Sequence, residues 1–134
     1  MGVSKPSKDT KTLGMPWEDE FGYAQGIKVG DTIYLAGQVS HDDSGNILGG
    51  GDMTVQMREA YANIEKVLDQ YGATMENLVD EVLYVTNMEA AFDAAVKIRR
   101  DVFSGFPQVA STIVEVKRLA FPQLMIEIKA IAKV

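Results

Sequence analysis

The chain of 134 residues contains no cysteine, which excludes disulfide staples, thiolate nucleophiles and thiolate metal ligands and fits a reducing compartment. Histidine occurs once, at His41, so one chain cannot assemble the histidine pair of ribonuclease-type acid–base chemistry or a multi-histidine metal centre. No apolar run approaches the roughly 20 residues that a membrane helix requires. The opening segment, MGVSKPSKDTK, lacks the apolar centre of a secretory signal. Basic residues are outnumbered 13 to 19, giving a net charge of −6. Such a balance repels phosphate backbones, and no basic stripe with interleaved aromatics is present. These absences lead us to expect a soluble, cytoplasmic protein with no membrane or nucleic-acid partner.

What is present suffices for one core: 46% of residues are hydrophobic and 24% charged. Residues 1–15 are polar and read as a flexible arm; residues 16–134 read as a single domain. Residues 16–21 (PWEDEF) read as a segment lying over that body, with Glu18–Glu20 as a solvated face and Trp17 as an anchor or a lid. Strand patterns occupy 23–29 and 32–38, and Gly30-Asp31 between them signals a two-residue hairpin. Residues 41–51 form a loop rich in Asp, Ser, Asn and Gly, with 47–48 as a candidate short strand.

Met53, Met57, Ala60, Tyr61, Ile64, Leu68 and Tyr71 recur at helical spacing, with Asp52 placed to cap and Gly72 to stop the helix. Residues 78–85 read as a central strand. Thr86 and Glu89 match a capping box for a second helix ending near Phe103, its apolar stripe being Ala91, Ala95, Ile98 and Val102. Two further strands follow, at 110–116 and 124–134. The order predicts an α+β domain, a mixed sheet with two helices on one face. The other face has no cover of its own, so self-association through it is expected.

Candidate chemistry sits in the last two strands. Glu127 lies inside the apolar run LMIEIKAIAKV, where a carboxylate is costly to bury unless it is paired or protonated. It reads either as a catalytic or water-orienting acid, or as a structural carboxylate paired with Lys129, Lys117 or Arg118. Ser111 and Thr112 open the preceding strand and point to opposite faces, so at most one hydroxyl can enter a given pocket. Neither has a histidine base in a recognisable motif, and holding a substrate oxygen or a water suits them better than triad chemistry. His41, in HDDSG, reads as part of a solvated turn rather than a metal site, because its acidic neighbours lack ligand spacing. Gly49-Gly50-Gly51 lack the lysine and hydroxyl of a phosphate loop and read as turn glycines.

The segments GYAQGIKVGDTIYLAGQ, GNILGGGD, VDEVLYVTNM and FPQVASTIVEVKRLAFPQLMIEIKAIAKV, in this order and spacing, resemble the Rid family of reactive-intermediate deaminases, also called the YjgF or L-PSP family. The resemblance runs from Tyr23 to the end. It implies a chorismate-mutase-like fold, a homotrimer whose three sheets form a central barrel, and small-molecule clefts between subunits. It implies no cofactor, and hydrolysis of reactive enamines and imines derived from amino acids to 2-keto acids and ammonia; no metal is expected. The alternative is a non-catalytic small-molecule-binding or regulatory trimer; older family labels are translation inhibitor and endoribonuclease.

The resemblance places the family's pocket aromatic at Tyr23, its Ser-Gly pair at Ala36-Gly37 and its last-strand glutamate at Glu127. The deaminases' substrate-clamping arginine falls on Ser111, the residue after it on Thr112, and a pocket asparagine on Val96. Arg99 is the expected substitute for the arginine. Whether the chain is an enzyme is left open by this departure. The expected site is Glu127 and Ser111 as catalytic groups, with Tyr23, Ala36, Gly37, Thr112 and Arg99 binding substrate.

Overall fold

A computed structural model describes residues 2–134; Met1, the first residue of the expected arm, lies outside the described residues. Six strands form one sheet: β1 (Asp9–Lys11), β2 (Gly26–Val29), β3 (Thr32–Gln38), β4 (Leu78–Val85), β5 (Ala110–Glu115) and β6 (Ile126–Lys133), in the order β1-β2-β3-β6-β4-β5. Three α-helices accompany them: α1 (Pro16–Phe21), α2 (Met53–Asp69) and α3 (Met88–Val102). This is the expected α+β architecture. β6 runs antiparallel between β3 and β4, while β5 pairs with β4 in parallel and forms one edge of the sheet, β1 forming the other.

The helical stripes explain the layering. Met57, Ala60, Tyr61, Ile64 and Leu68 of α2 are almost fully buried, as are Ala91, Ala94 and Ile98 of α3. They pack with Ile33 and Leu35 of β3, Leu83 and Val85 of β4, and Ile126, Ile128, Ala130 and Ala132 of β6. Strand residues of opposite parity (Tyr34, Tyr84, Val114, Glu127 and Ile131) therefore face away from the helices. Gly30, at φ 59°, makes the expected β2–β3 turn, and Asp52 accepts from Val55 N at 3.2 Å as the expected cap of α2. The short strand expected at 47–48 is a single bridge between His41 and Ile47. No helix among the described residues is long and apolar enough to cross a membrane.

Four expectations are corrected. Residues 9–11, assigned to a flexible arm, form β1 against β2. The Tyr71 hydroxyl donates to Asp9 O at 2.7 Å and Gln70 Nε2 to Thr12 O at 2.8 Å, so the residues just after α2 hold a stretch too polar to reveal itself by alternation. Glu18, expected on a solvated face, is 5% exposed; its carboxylate accepts from Leu13 N (2.8 Å) and Met15 N (3.0 Å) and fixes the start of α1. His41, expected in a solvated turn, is 4% exposed, its ring packed edge-on against Trp17 with centroids 5.1 Å apart. The cap of α3 is Asn87, not Thr86: Asn87 Oδ1 accepts from Ala90 N at 3.0 Å.

Candidate functional site

A cleft of ≈ 910 Å³ opens where β3 and β6 meet the α1 segment and the loops around His41 and Phe121. Four residues expected in a site line it: Tyr23, Ala36, Gly37 and Glu127. Their convergence follows from strand geometry. Ala36 and Gly37 sit in a β-bulge, because the β3–β6 register jumps from Leu35↔Ala130 to Gln38↔Ile128. Bulges re-aim a strand and interrupt its ladder. This one presents the glycine to Glu127 on the helix-free side of the sheet.

The fit leaves no spare volume. A Cβ added at Gly37 would lie 2.5 Å from Glu127 Oε2 and 2.6 Å from its Cδ. Glycine is thus required for steric reasons, since Gly37 is not among the positive-φ glycines. The colliding group is the flexible end of a side chain. Gly37→Ala is therefore expected to push the carboxyl out of its place while leaving folding stability nearly unchanged. NMR titration of the Glu127 carboxyl would show its pKa returning toward the ordinary value; an unmoved titration would refute the packing argument.

Glu127 forms no ion pair or hydrogen bond among the described residues, and burial raises its carboxyl above the usual 4.5. Lys129, two residues along the same face, opposes that rise, but its Nζ donates to Leu35 O at 3.1 Å. The hydroxyl of Tyr23 is also pushed above 10.0, first by burial and further by the Glu18 and Glu127 carboxylates, with Gln25 opposing. Gln38 Nε2 donates to Gln25 Oε1 at 2.7 Å and to Ala36 O at 3.1 Å, which braces the bulge from within the protein. The rest of the wall is mostly apolar: Trp17, Phe21, Ile47, Phe121 and Leu124. Of these, only Trp17 had been weighed for a pocket role. Phe121 and Leu124 follow Glu127's own strand backwards into the preceding turn, a proximity that could have flagged them.

The other three expected site residues are not brought to this cleft within one chain. Ser111 pairs in register with Glu81, and so lies on the helix side of the sheet, opposite Glu127. Thr112 shares Glu127's face, but β4 separates its strand from β6. A single protomer therefore does not join Ser111 to Glu127. Arg99, expected to replace the clamping arginine, is engaged within the chain on the other side of the sheet. Its Nη1 donates to Glu81 Oε2 at 2.7 Å and to the Tyr61 hydroxyl, which itself donates to Glu81 Oε1 at 2.8 Å. The guanidinium carbon stands 5.1 Å from the Phe103 ring centre. Glu81 has no exposed side-chain surface, so Arg99 is its neutralising partner beneath the helices rather than a free clamp. Burial, aided by Glu81, raises the Tyr61 pKa. Arg99 also borders a second groove with Val96, Arg100, Phe106 and Val109, beside β5. Among the described residues, no three His, Asp or Glu side chains converge as metal ligands.

A family model described as endoribonuclease L-PSP matches residues 18–134. A RutC family protein of Pyrococcus abyssi is 32% identical over 110 residues, covering 82% of this chain and 84% of that protein. A 2-iminobutanoate/2-iminopropanoate deaminase of Dermatophagoides farinae is 29% identical over 86 residues, 63% of this chain and 66% of that one. A crystal structure of a YjgF family member from Mycobacterium tuberculosis superposes with a TM-score of 0.81 at 30% identity, covering 96% of this chain and all of that one.

Proposed function

Because this chain belongs to the endoribonuclease L-PSP family, the Rid/YjgF group, we propose that it is a hydrolytic deaminase of small reactive imines and enamines, working at a cleft completed by a neighbouring subunit. The observation that carries this reading is the unpaired, half-buried carboxyl of Glu127 at a bulge that only glycine permits. The deaminase name of the mite relative supports the reaction class.

In this reading an enamine first tautomerises to its imine. Glu127, in its protonated form, gives a proton to the imine nitrogen while water attacks the carbon. The carboxylate takes one proton from the added water and passes it to nitrogen; as the C–N bond breaks and ammonia leaves, the remaining hydroxyl gives its proton back to the carboxylate, which restores the protonated acid. The balance is C=NH plus H₂O to C=O plus NH₃, with no outside reductant or oxidant. The bulge takes Ala36-Gly37 out of the β6 register; the Ala36 N–H is committed to Gln25 O at 2.8 Å, so the Gly37 N–H is the main-chain donor assigned to the substrate's oxygen in this reading. Tyr23 packs over the bound molecule.

The assembly in this proposal is a homotrimer. The sheet face away from the helices supports it, with Tyr34 48% and Val114 38% exposed. So does β5, a free edge carrying Ser111 and Thr112 that a neighbour's cleft could use. A second reading, a non-catalytic ligand-binding trimer, is favoured by one observation: the arginine position holds Ser111, and Arg99 is committed to Glu81.

Incubation of the purified protein with freshly generated imines separates the two. We expect faster ammonia release from an uncharged imine than from 2-iminobutyrate, from material eluting at three times the chain mass. Unchanged decay of both imines would leave the binding protein as the function.

A further inference from the structure

Four aromatic side chains (Trp17, Phe21, Tyr23 and Phe121) and one carboxylate, Glu127, line the cleft, and no lysine or arginine does. From this we infer that the cleft selects a nitrogen-bearing ligand with an apolar body, neutral or cationic, and rejects carboxylates. The inference rests on reading this cleft as the place where an imine is hydrolysed, and it names the class of molecule that enters.

Three features carry it. Aromatic faces attract ammonium and iminium groups through the ring quadrupole, and they present only apolar surface to an anion. Phe21, Phe121 and Tyr23 are 70%, 45% and 39% exposed in the single chain, so their surface is not spent on the protein's own core. The Glu127 carboxylate has no cationic partner within salt-bridge reach among the described residues, so a ligand cation would be its first.

His41 also lines the cleft, but its Nδ1 lies 2.8 Å from Asp42 O and its ring is packed edge-on against Trp17; the longer cations that could reach a carboxylate are turned away. Lys129 Nζ is turned to the Leu35 carbonyl, and Arg99 lies on the far side of the sheet against Glu81. The chain's net charge of −6 also disfavours the approach of anions. An iminium beside the Glu127 carboxylate is the pair that forms when protonated Glu127 has given its proton to the imine nitrogen, and its apolar body suits the aromatic walls.

Trp17 is the chain's only tryptophan and lines the cleft, so its fluorescence reports occupancy directly. The test titrates the full-length protein with benzylamine, benzyl alcohol and benzoate, three unreactive probes of one shape and different charge. Benzylamine is expected to bind at least tenfold more tightly than benzoate. Glu127→Gln is expected to abolish the preference for benzylamine over benzyl alcohol. Phe121→Ala, at an exposed position, should weaken both benzylamine and benzyl alcohol. The inference is overturned if benzoate binds as tightly as benzylamine, as it would if a neighbouring chain supplied an arginine. It is equally overturned if Glu127→Gln keeps the preference or if no probe binds. Because none of the probes can be hydrolysed, an intact preference in a protein that turns over no imine counts against the hydrolytic step alone.

Discussion

Arg99→Met is expected to destabilise the protein by about 3–5 kcal/mol, the usual consequence of leaving a buried charge without its partner. Glu81 has no exposed side-chain surface, and Arg99 is its one ion-pair partner among the described residues. Once the guanidinium is gone, the carboxylate keeps only the Tyr61 hydroxyl, a neutral donor. A methionine retains the aliphatic contact with Tyr61 and Phe103, so lost packing contributes little to the expected effect. Urea unfolding at fixed protein concentration is the measurement, since association would otherwise shift the midpoint. The double variant Glu81→Gln/Arg99→Met should recover most of the loss, because the amide carries no charge and still accepts from Tyr61. If Arg99→Met unfolds within about 1 kcal/mol of the parent, the ordinary range of single substitutions, the pair does not hold the fold together.

Glu127→Gln is expected to lower kcat/KM for imine hydrolysis by about 10²–10⁴-fold, the usual range for a positioned general acid. The same substitution should raise thermal stability at neutral pH. Burial holds the native carboxyl above the usual value of 4.5. A group raised in the folded state favours folding fully below its unfolded pKa, and that contribution is lost as pH rises through the native value. At neutral pH, above the unfolded value, this raised carboxyl is therefore a burden on the fold that the amide lacks, and the stability difference should close as pH falls below about 4.5. The pH profile carries the same sign. kcat/KM of the parent should fall on the alkaline side of the native Glu127 value, and Glu127→Gln should lose that limb. A variant with parental kcat/KM, or one less stable than the parent at pH 7, would remove Glu127 from the mechanism.

Both predictions concern carboxylates in strands, yet only one of the two could be read as a site beforehand. Glu127 interrupts an apolar run, and its neighbours on either side, Ile126 and Ile128, announce the buried face. Glu81 obeys the same logic, sharing the parity of Leu83 and Val85, but its partners lie 18 and 20 residues away along the chain. Sequence periodicity reports which face a residue takes and not what it meets there. This is also why Arg99 read as a spare cation. The helices were legible because Met57, Ile64 and Leu68, or Ala91 and Ile98, repeat with the helical period. β1 was not, since Asp9, Thr10 and Lys11 are recruited by the Tyr71 hydroxyl and by backbone pairing rather than by burial. His41 and Glu18 were misplaced for a related reason: a polar residue is buried cheaply when specific partners satisfy it, and those partners come from the tertiary structure. The site was half legible. Tyr23, Ala36, Gly37 and Glu127 do meet, whereas Ser111 and Thr112 belong to a strand that a single chain cannot bring to them.

The free side of β5 has a practical corollary for protein engineering. A row of unsatisfied amide and carbonyl groups, flanked by the 81% exposed Phe106, is a template on which foreign chains can zip themselves. Surface redesign aimed at a solitary, well-behaved unit would therefore have to begin at that border, with lysine or proline as the blunting device, before altering anything near the hollow.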